Sequence, residues 1–216
     1  MLKVDRPKTL KENALESLRD AITKGVLKPG ERLVERSLCD SMAVSRTVVR
    51  ECIRHLESEW LIEGIPNAGF AVATINAEEV EEIYQIRSML ESAAVASCAE
   101  RADQATVVEL RELSQTIAQC LREEDVLQAL KVTTAFYQII FTVGGKNVSW
   151  ALVERLNGRI SRLRALTLSS TERKSAGPAN LSSIVDAIEA GDSQRARDVC
   201  ASHLDGAAQI ALQLID

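Results

Sequence analysis

Aromatic side chains make up only 3% of this 216-residue chain, and histidine occurs twice. Sandwiches and barrels lean on aromatic and β-branched residues. Their scarcity, with few Gly and Pro and long runs of Ala, Leu, Glu and Arg, favours helices. With His55 and His203 as the sole imidazoles, a Ser or Cys triad would have to use one of two residues that a helical reading puts in unrelated domains. There is no Gly-rich phosphate loop and no His-Glu-x-x-His, so nothing marks an enzyme. The five cysteines (Cys39, Cys52, Cys98, Cys120, Cys200) are odd in number, widely spaced and mostly in apolar positions. They read as reduced core residues rather than a disulfide framework or a Cys-x-x-Cys metal site. No run of about eighteen apolar residues occurs, and the opening Met-Leu-Lys-Val-Asp-Arg-Pro-Lys lacks the apolar core of a signal peptide. A cytoplasmic protein without a membrane partner is expected.

What is present is enough apolar material, 46%, for one large or two modest domains. The net charge is −5, unevenly placed: 12 Lys and Arg face 11 Asp and Glu through Thr74, against 14 and 20 beyond it. Any binding to nucleic acid therefore relies on the placement of a few arginines, not on bulk charge.

That placement is concentrated in Val44 to Trp60. Ser45 is a good N-cap, because its hydroxyl can accept from a backbone N–H that the first turn leaves unpaired. After it, Val49, Cys52, Ile53 and Leu56, with Trp60 just beyond, fall on one side of a helix. Arg46, Arg50 and Arg54 recur every fourth residue on another, beside Thr47 and Glu51. Arginines and a hydroxyl near a helix N-terminus suit a DNA major groove, since Arg can bond guanine bidentately or clamp phosphate; a merely solvated cationic face is the competing reading. A short helix at about Glu35 to Met42 and a turn at Ala43-Val44 precede it, giving the helix, turn, helix order of a DNA reader.

Upstream, Leu10, Ala14, Leu18, Ala21 and Ile22 predict a helix over about Lys8 to Lys24. Downstream, two short apolar runs around Pro66-Asn67-Ala68-Gly69 predict a two-stranded wing. A mainly α chain is expected, an N-terminal winged helix-turn-helix (1–75) followed by an all-α bundle (76–216). Asn76 and Glu79 should cap a long helix to about Ala99. Further helices are expected at about Gln104 to Arg122, Asp125 to Val143, Val148 to Ser169, Asn180 to Ala190 and Ser193 to Ile215, with Thr171 to Pro178 as a flexible loop.

The block from Ala21 through Pro29-Gly30-Glu-Arg-Leu33, then Val44-Ser-Arg-Thr-Val-Val-Arg-Glu51 and Asn67-Ala-Gly-Phe70, resembles the N-terminal domain of GntR-family bacterial transcription regulators. The resemblance implies DNA contacts from Arg36, Arg46, Thr47, Arg50 and Gly69, and Ser45, which opens the reading helix, is expected among the DNA-binding residues. Many members carry a basic residue where this chain has Ala68, which puts side-chain reading by the wing in question.

The second part resembles the effector-binding and dimerisation domain of the FadR-type branch. Its carriers are Ile86-Arg87-Ser-Met-Leu90-Glu91-Ser-Ala93, Asn147-Val-Ser-Trp-Ala-Leu152, Arg159-Ile-Ser-Arg162, and Ile184 to Asp192 ahead of His203. Many of that branch hold a divalent metal through an Asp, a His four residues later and two further histidines. Here the corresponding positions are Thr133, Tyr137, Leu181 and His203. One imidazole and a hydroxyl or two cannot compete with water for such an ion, so no metal and no cofactor is expected. The resemblance instead implies a cavity lined by Arg87, Thr133, Tyr137, Arg159 and His203, for an uncharged or singly anionic organic effector. Filling of that cavity by Tyr137 and Leu181 as core, and a pairing of Arg87 with Glu91 along one helix, are the alternatives. Taken together, a homodimeric, ligand-responsive repressor of an inverted-repeat operator is expected. The near absence of a linker at Thr74 to Asn76 would let the bundle act on the wing. The other readings are a regulator without effector and a helical protein–protein adaptor.

Overall fold

The computed structural model describes residues 8–168 and 170–215, with 171–176 by backbone alone. The first seven residues and the last, with which the expected domains begin and end, and Ser169, at which one expected helix ends, lie outside the described residues. Contacts divide the chain between Thr74 and Ile75 into two units.

In the first unit α1 (Leu10–Thr23) opens with Thr9 as N-cap, in a reciprocal capping box with Glu12. The strand β1 (Arg32–Leu33) follows, then α2 (Glu35–Met42), α3 (Arg46–Ser58), β2 (Ile62–Ile65) and β3 (Gly69–Val72). Leu18, Ile22, Val49, Ile53, Leu56, Leu61 and Val72 are sealed together, so one apolar face of α1 and one of α3 close on the sheet. The three strands run in the order β1-β3-β2, both pairings antiparallel. β1 is an addition to the two-stranded wing the sequence predicts, and two residues are too short to show any periodicity. Trp60 is a correction: a left-handed backbone (φ 61°) turns it off the packing face of α3 and leaves it 52% exposed.

In the second unit α4 (Ala77–Ala99) starts from an Asn76 capping box with Glu79. It lies against α10 (Ser193–Ile215), which begins where Asp192 accepts from the Arg195 N–H. The helices α5 (Gln104–Arg122) and α6 (Val126–Val143) are capped by Asp103 and Asp125. By length and composition α6 could cross a membrane, a feature the sequence reading passed over. Its Leu130, Phe136, Tyr137, Ile140 and Phe141 are instead buried in the bundle.

Two boundaries differ from expectation. The single helix predicted from Val148 is two, α7 (Asn147–Arg155) and α8 (Asn157–Leu168). Leu156 donates to the Val153 carbonyl in a tight three-residue turn, ahead of the poor helix formers Asn157 and Gly158. The loop predicted at Thr171 to Pro178 is helix: α9 runs Thr171–Glu189 with Pro178 inside it. Pro lacks the N–H its turn would use, yet Leu181, Ile184, Val185 and Ile188 bury the helix firmly enough to override that local preference.

Candidate nucleic-acid interface and bundle cavity

The reading helix begins where its sequence says it should. The Ala43 backbone is left-handed (φ 53°), ending α2, and the Ser45 hydroxyl accepts from the Val48 N–H at 3.4 Å. With Val49, Cys52, Ile53 and Leu56 inward, the opposite side of α3 exposes Arg46, Thr47, Arg50 and Arg54. Arg36 is exposed on the first turn of α2. Glu35, beside it, accepts from Arg50 Nε at 2.9 and 3.0 Å and lies 3.9 Å from Arg46 Nε. That hydrogen bond from Arg50 holds the Glu35 carboxyl below its ordinary range against the opposing pull of partial burial. The acid gathers two of the candidate DNA-binding arginines at one end of the helix.

The wing tip is built by a turn in which Ala68 donates to the Ile65 carbonyl at 3.0 Å and Asn67 is left-handed. Gly69 has φ +89°, a region that a side chain would strain, and it is open to solvent with nothing near its Cβ position. Ala68 supplies no cation. Arg32 does: from β1 its Nη2 donates to the Ala68 carbonyl at 2.6 Å, so an exposed guanidinium stands at the wing tip. The sequence reading missed it, because the signal is the register of β1 against β3, which brings Arg32 opposite Ala71.

In the bundle, Thr133, Tyr137, Leu181 and His203 line one cavity of about 40 Å³ together with Ile117, Leu130, Arg164 and Gly177. Arg87 and Arg159, expected in the lining, are a correction: neither is among its lining residues. Arg159 pairs with Glu79 at 2.8 Å, and Arg87 is sealed behind the cavity with Glu91 at 2.8 Å. Arg164 completes this cluster: its Nη2 is 3.8 Å from the same Glu91 oxygen, and its guanidinium lies 5.2 Å over the Tyr137 ring. Arg87 lies 4.9 Å over Tyr84 in the same way. Burial, with Arg87 adding to it, pulls Arg164 down to about 10. For Arg87 burial acts in the same direction, but Glu91 outweighs it and the result is upward. The Tyr137 phenol is pushed well up by burial and by Glu91, so it stays protonated. A neutral phenol, a Thr, a Leu and one imidazole do not make a donor set for a divalent metal, so the residues do not fit that group.

A helix-turn-helix whose reading helix exposes arginines, with a three-stranded wing at its side, defines a DNA-binding regulator. Residues 10–72 match the gntR family of bacterial regulatory proteins, and residues 82–206 match the FCD domain. The chain belongs to the GntR family of transcription regulators, in the form that carries an FCD domain C-terminal to its winged helix-turn-helix. It is 29% identical over 173 residues to an uncharacterised HTH-type regulator of Bacillus subtilis, YdhC, covering 79% of this chain and 77% of that one. It is 30% identical over 139 residues to the regulator McbR of Escherichia coli, covering 64% and 63%. The solved structure of McbR overlays 97% of this chain and all of its own with a TM-score of 0.79 at 24% identity, which concerns the fold. These relatives are regulators rather than enzymes, as the absence of catalytic motifs leads one to expect.

Proposed function

We propose that this protein is a cytoplasmic repressor that binds an inverted-repeat operator as a homodimer and releases it when a small organic effector occupies the bundle cavity. The observation that carries the DNA half is the exposed row of Arg46, Thr47 and Arg50 at the capped start of α3, with Arg36 beside it and Gly69 at the wing. Arginines at that end can reach base edges, while Arg36 and Arg32 suit phosphate. Two copies about a twofold axis would each read one half-site. Val148 and Leu152, one turn apart on α7, are exposed apolar side chains of the kind a partner copy covers. Repression follows the family resemblance.

The effector half rests on the cavity bounded by Thr133, Tyr137 and His203. An effector acts only through different affinities for the DNA-competent and incompetent forms, and couplings of about 1 to 3 kcal/mol are usual. Selection of random duplexes with the purified protein, then footprinting, tests the first half. An enriched inverted repeat is expected, whereas a protein–protein adaptor would enrich nothing. A thermal-shift screen of metabolites, with operator binding measured for each hit, tests the second. Hits that stabilise the protein but leave operator affinity unchanged would make it a regulator without an effector.

A further inference from the structure

The reading helix has two flanks, and each meets a different helix of its own unit. At about 100° per residue, the exposed side chains of α3 follow around its axis in the order Arg46, Arg50, Arg54, Thr47, Glu51. Arg46 and Arg50 stand on the α2 flank, through Glu35. Glu51 ends the row on the α1 flank. There its carboxylate accepts from Lys11 Nζ at 2.7 Å, and the neighbouring Cys52 thiol donates to the Lys11 carbonyl at 3.9 Å. Two consecutive residues of α3 thus hold the first turn of α1, one by its side chain and one by its backbone, and keep an ammonium at the edge of the arginine row. The Lys11 and Glu51 side chains are nevertheless 51% and 47% exposed. The hydrogen bond to Glu51 raises Lys11 above the ordinary lysine range, so it is charged at neutral pH.

An α-helix with its side chains is about 10 to 12 Å across and the major groove about 12 Å wide, so a helix lying in it has a phosphate backbone along each flank. Arg36, on the first turn of α2, suits one of these walls. We propose that Lys11 is a further DNA contact, carried by the first turn of α1 along the Glu51 flank of α3 to the phosphate backbone on the wall opposite Arg36. This rests on the reading of α3 as the helix that enters the groove, and extends that interface to a third helix. An ammonium has three donors, so Lys11 can keep Glu51 and still donate to a phosphate oxygen. It meets phosphate as a point charge and reads no sequence. Glu51 alone at the end of the row would repel DNA; paired with Lys11 its charge is cancelled, and it fixes where the cation stands.

The test is the salt dependence of duplex binding by the full-length protein, followed by the fluorescence anisotropy of labelled DNA between about 50 and 200 mM salt. Two duplexes of equal length are compared, one carrying the selected operator and one of scrambled sequence. In Lys11→Gln the slope of log affinity against log salt should be shallower by about 0.9, the share of one phosphate, with affinity lower by about threefold to tenfold on both duplexes. Lys11→Arg should restore the parental slope. Lys24→Gln makes the same change of charge at the other end of α1, about 20 Å away, and should leave the slope unmoved. Melting midpoints should agree among all of these, since an exposed ion pair holds little stability. The proposal is overturned if Lys11→Gln keeps the parental slope; a lowered midpoint would then make the pair a mere tie between α1 and α3. It is overturned too if Lys24→Gln flattens the slope equally, since net charge alone would explain both. The two readings separate cleanly. An unchanged slope in Lys11→Gln while Arg46→Ala still weakens operator binding removes Lys11 alone, whereas a parent protein that binds no duplex removes α3 as a reader and Lys11 with it.

Discussion

Each unit of this protein sets one glutamate between two arginines, and the two triads do opposite things. On α2 and α3 Glu35 meets Arg50 and Arg46, whose side chains are 57% and 65% exposed. In the bundle Glu91 meets Arg87 and Arg164 almost out of reach of water. Exposed pairs are screened and exchange partners at little cost, so the surface arginines can leave Glu35 for phosphate or a base edge. Buried pairs owe their existence to mutual compensation, and removing one member leaves a charge with nowhere to go. The same three residue types thus make a pliable, exposed cluster in one place and a fixed, charge-biased, buried one in the other.

The strongest way to break the comparison is Glu91→Gln. It leaves two buried guanidinium groups facing each other, and a loss of about 3 to 5 kcal/mol in unfolding free energy is expected from urea titration of the bundle. A loss under about 1 kcal/mol would mean that water reaches the cluster. Tyr137→Ala comes next. Its ring is buried and packs edge-on against Phe136 at 5.5 Å, so truncation should cost about 3 kcal/mol or more, while operator affinity in the folded protein is retained. Arg46→Ala and Arg50→Ala turn to the exposed triad. Each should weaken operator binding on the order of ten- to a hundredfold with the melting temperature nearly unchanged; unaltered footprints in both would remove α3 from the interface. Smaller still is Arg32→Ala, which should lower affinity about equally for all sequences and flatten the salt dependence by roughly one ion, as loss of a phosphate contact does.

How much of the molecule is legible in its sequence follows the same divide. The capped start of α3 is readable because its signals are local: a Ser hydroxyl, an apolar face at helical spacing, arginines every fourth residue. The Asn76 and Glu79 capping box is readable for the same reason. Arg32 at the wing tip is not, since only strand register carries a residue across 36 positions to Ala68. Arg164 is hidden too. Its significance lies in a carboxylate on α4 and a ring on α6, and no spacing within α8 encodes either. The helix through Pro178 shows the converse: a strong local breaker signal is outweighed by Leu181, Ile184 and Val185, whose burial depends on helices distant in sequence.

The finest cut between the two triads is Glu35→Gln. Arg50 lowers the Glu35 carboxyl below its ordinary 4.5, so any stability from the pair is present above that pH and fades as pH falls through the lowered value. Because the pair is exposed, unfolding at neutral pH should barely register the change. DNA binding should register it in two directions. Loss of an acid near the phosphates raises affinity for arbitrary duplex. Loss of the group that gathers Arg50 and Arg46 lowers discrimination in favour of the operator. Competition of labelled operator with bulk DNA reads both, and the expected result is a smaller ratio of specific to non-specific affinity with a larger non-specific term. If the two affinities fall together, Glu35 supports the fold of α2 rather than the aim of the arginines. The surface triad would then be a structural fixture, like the buried one.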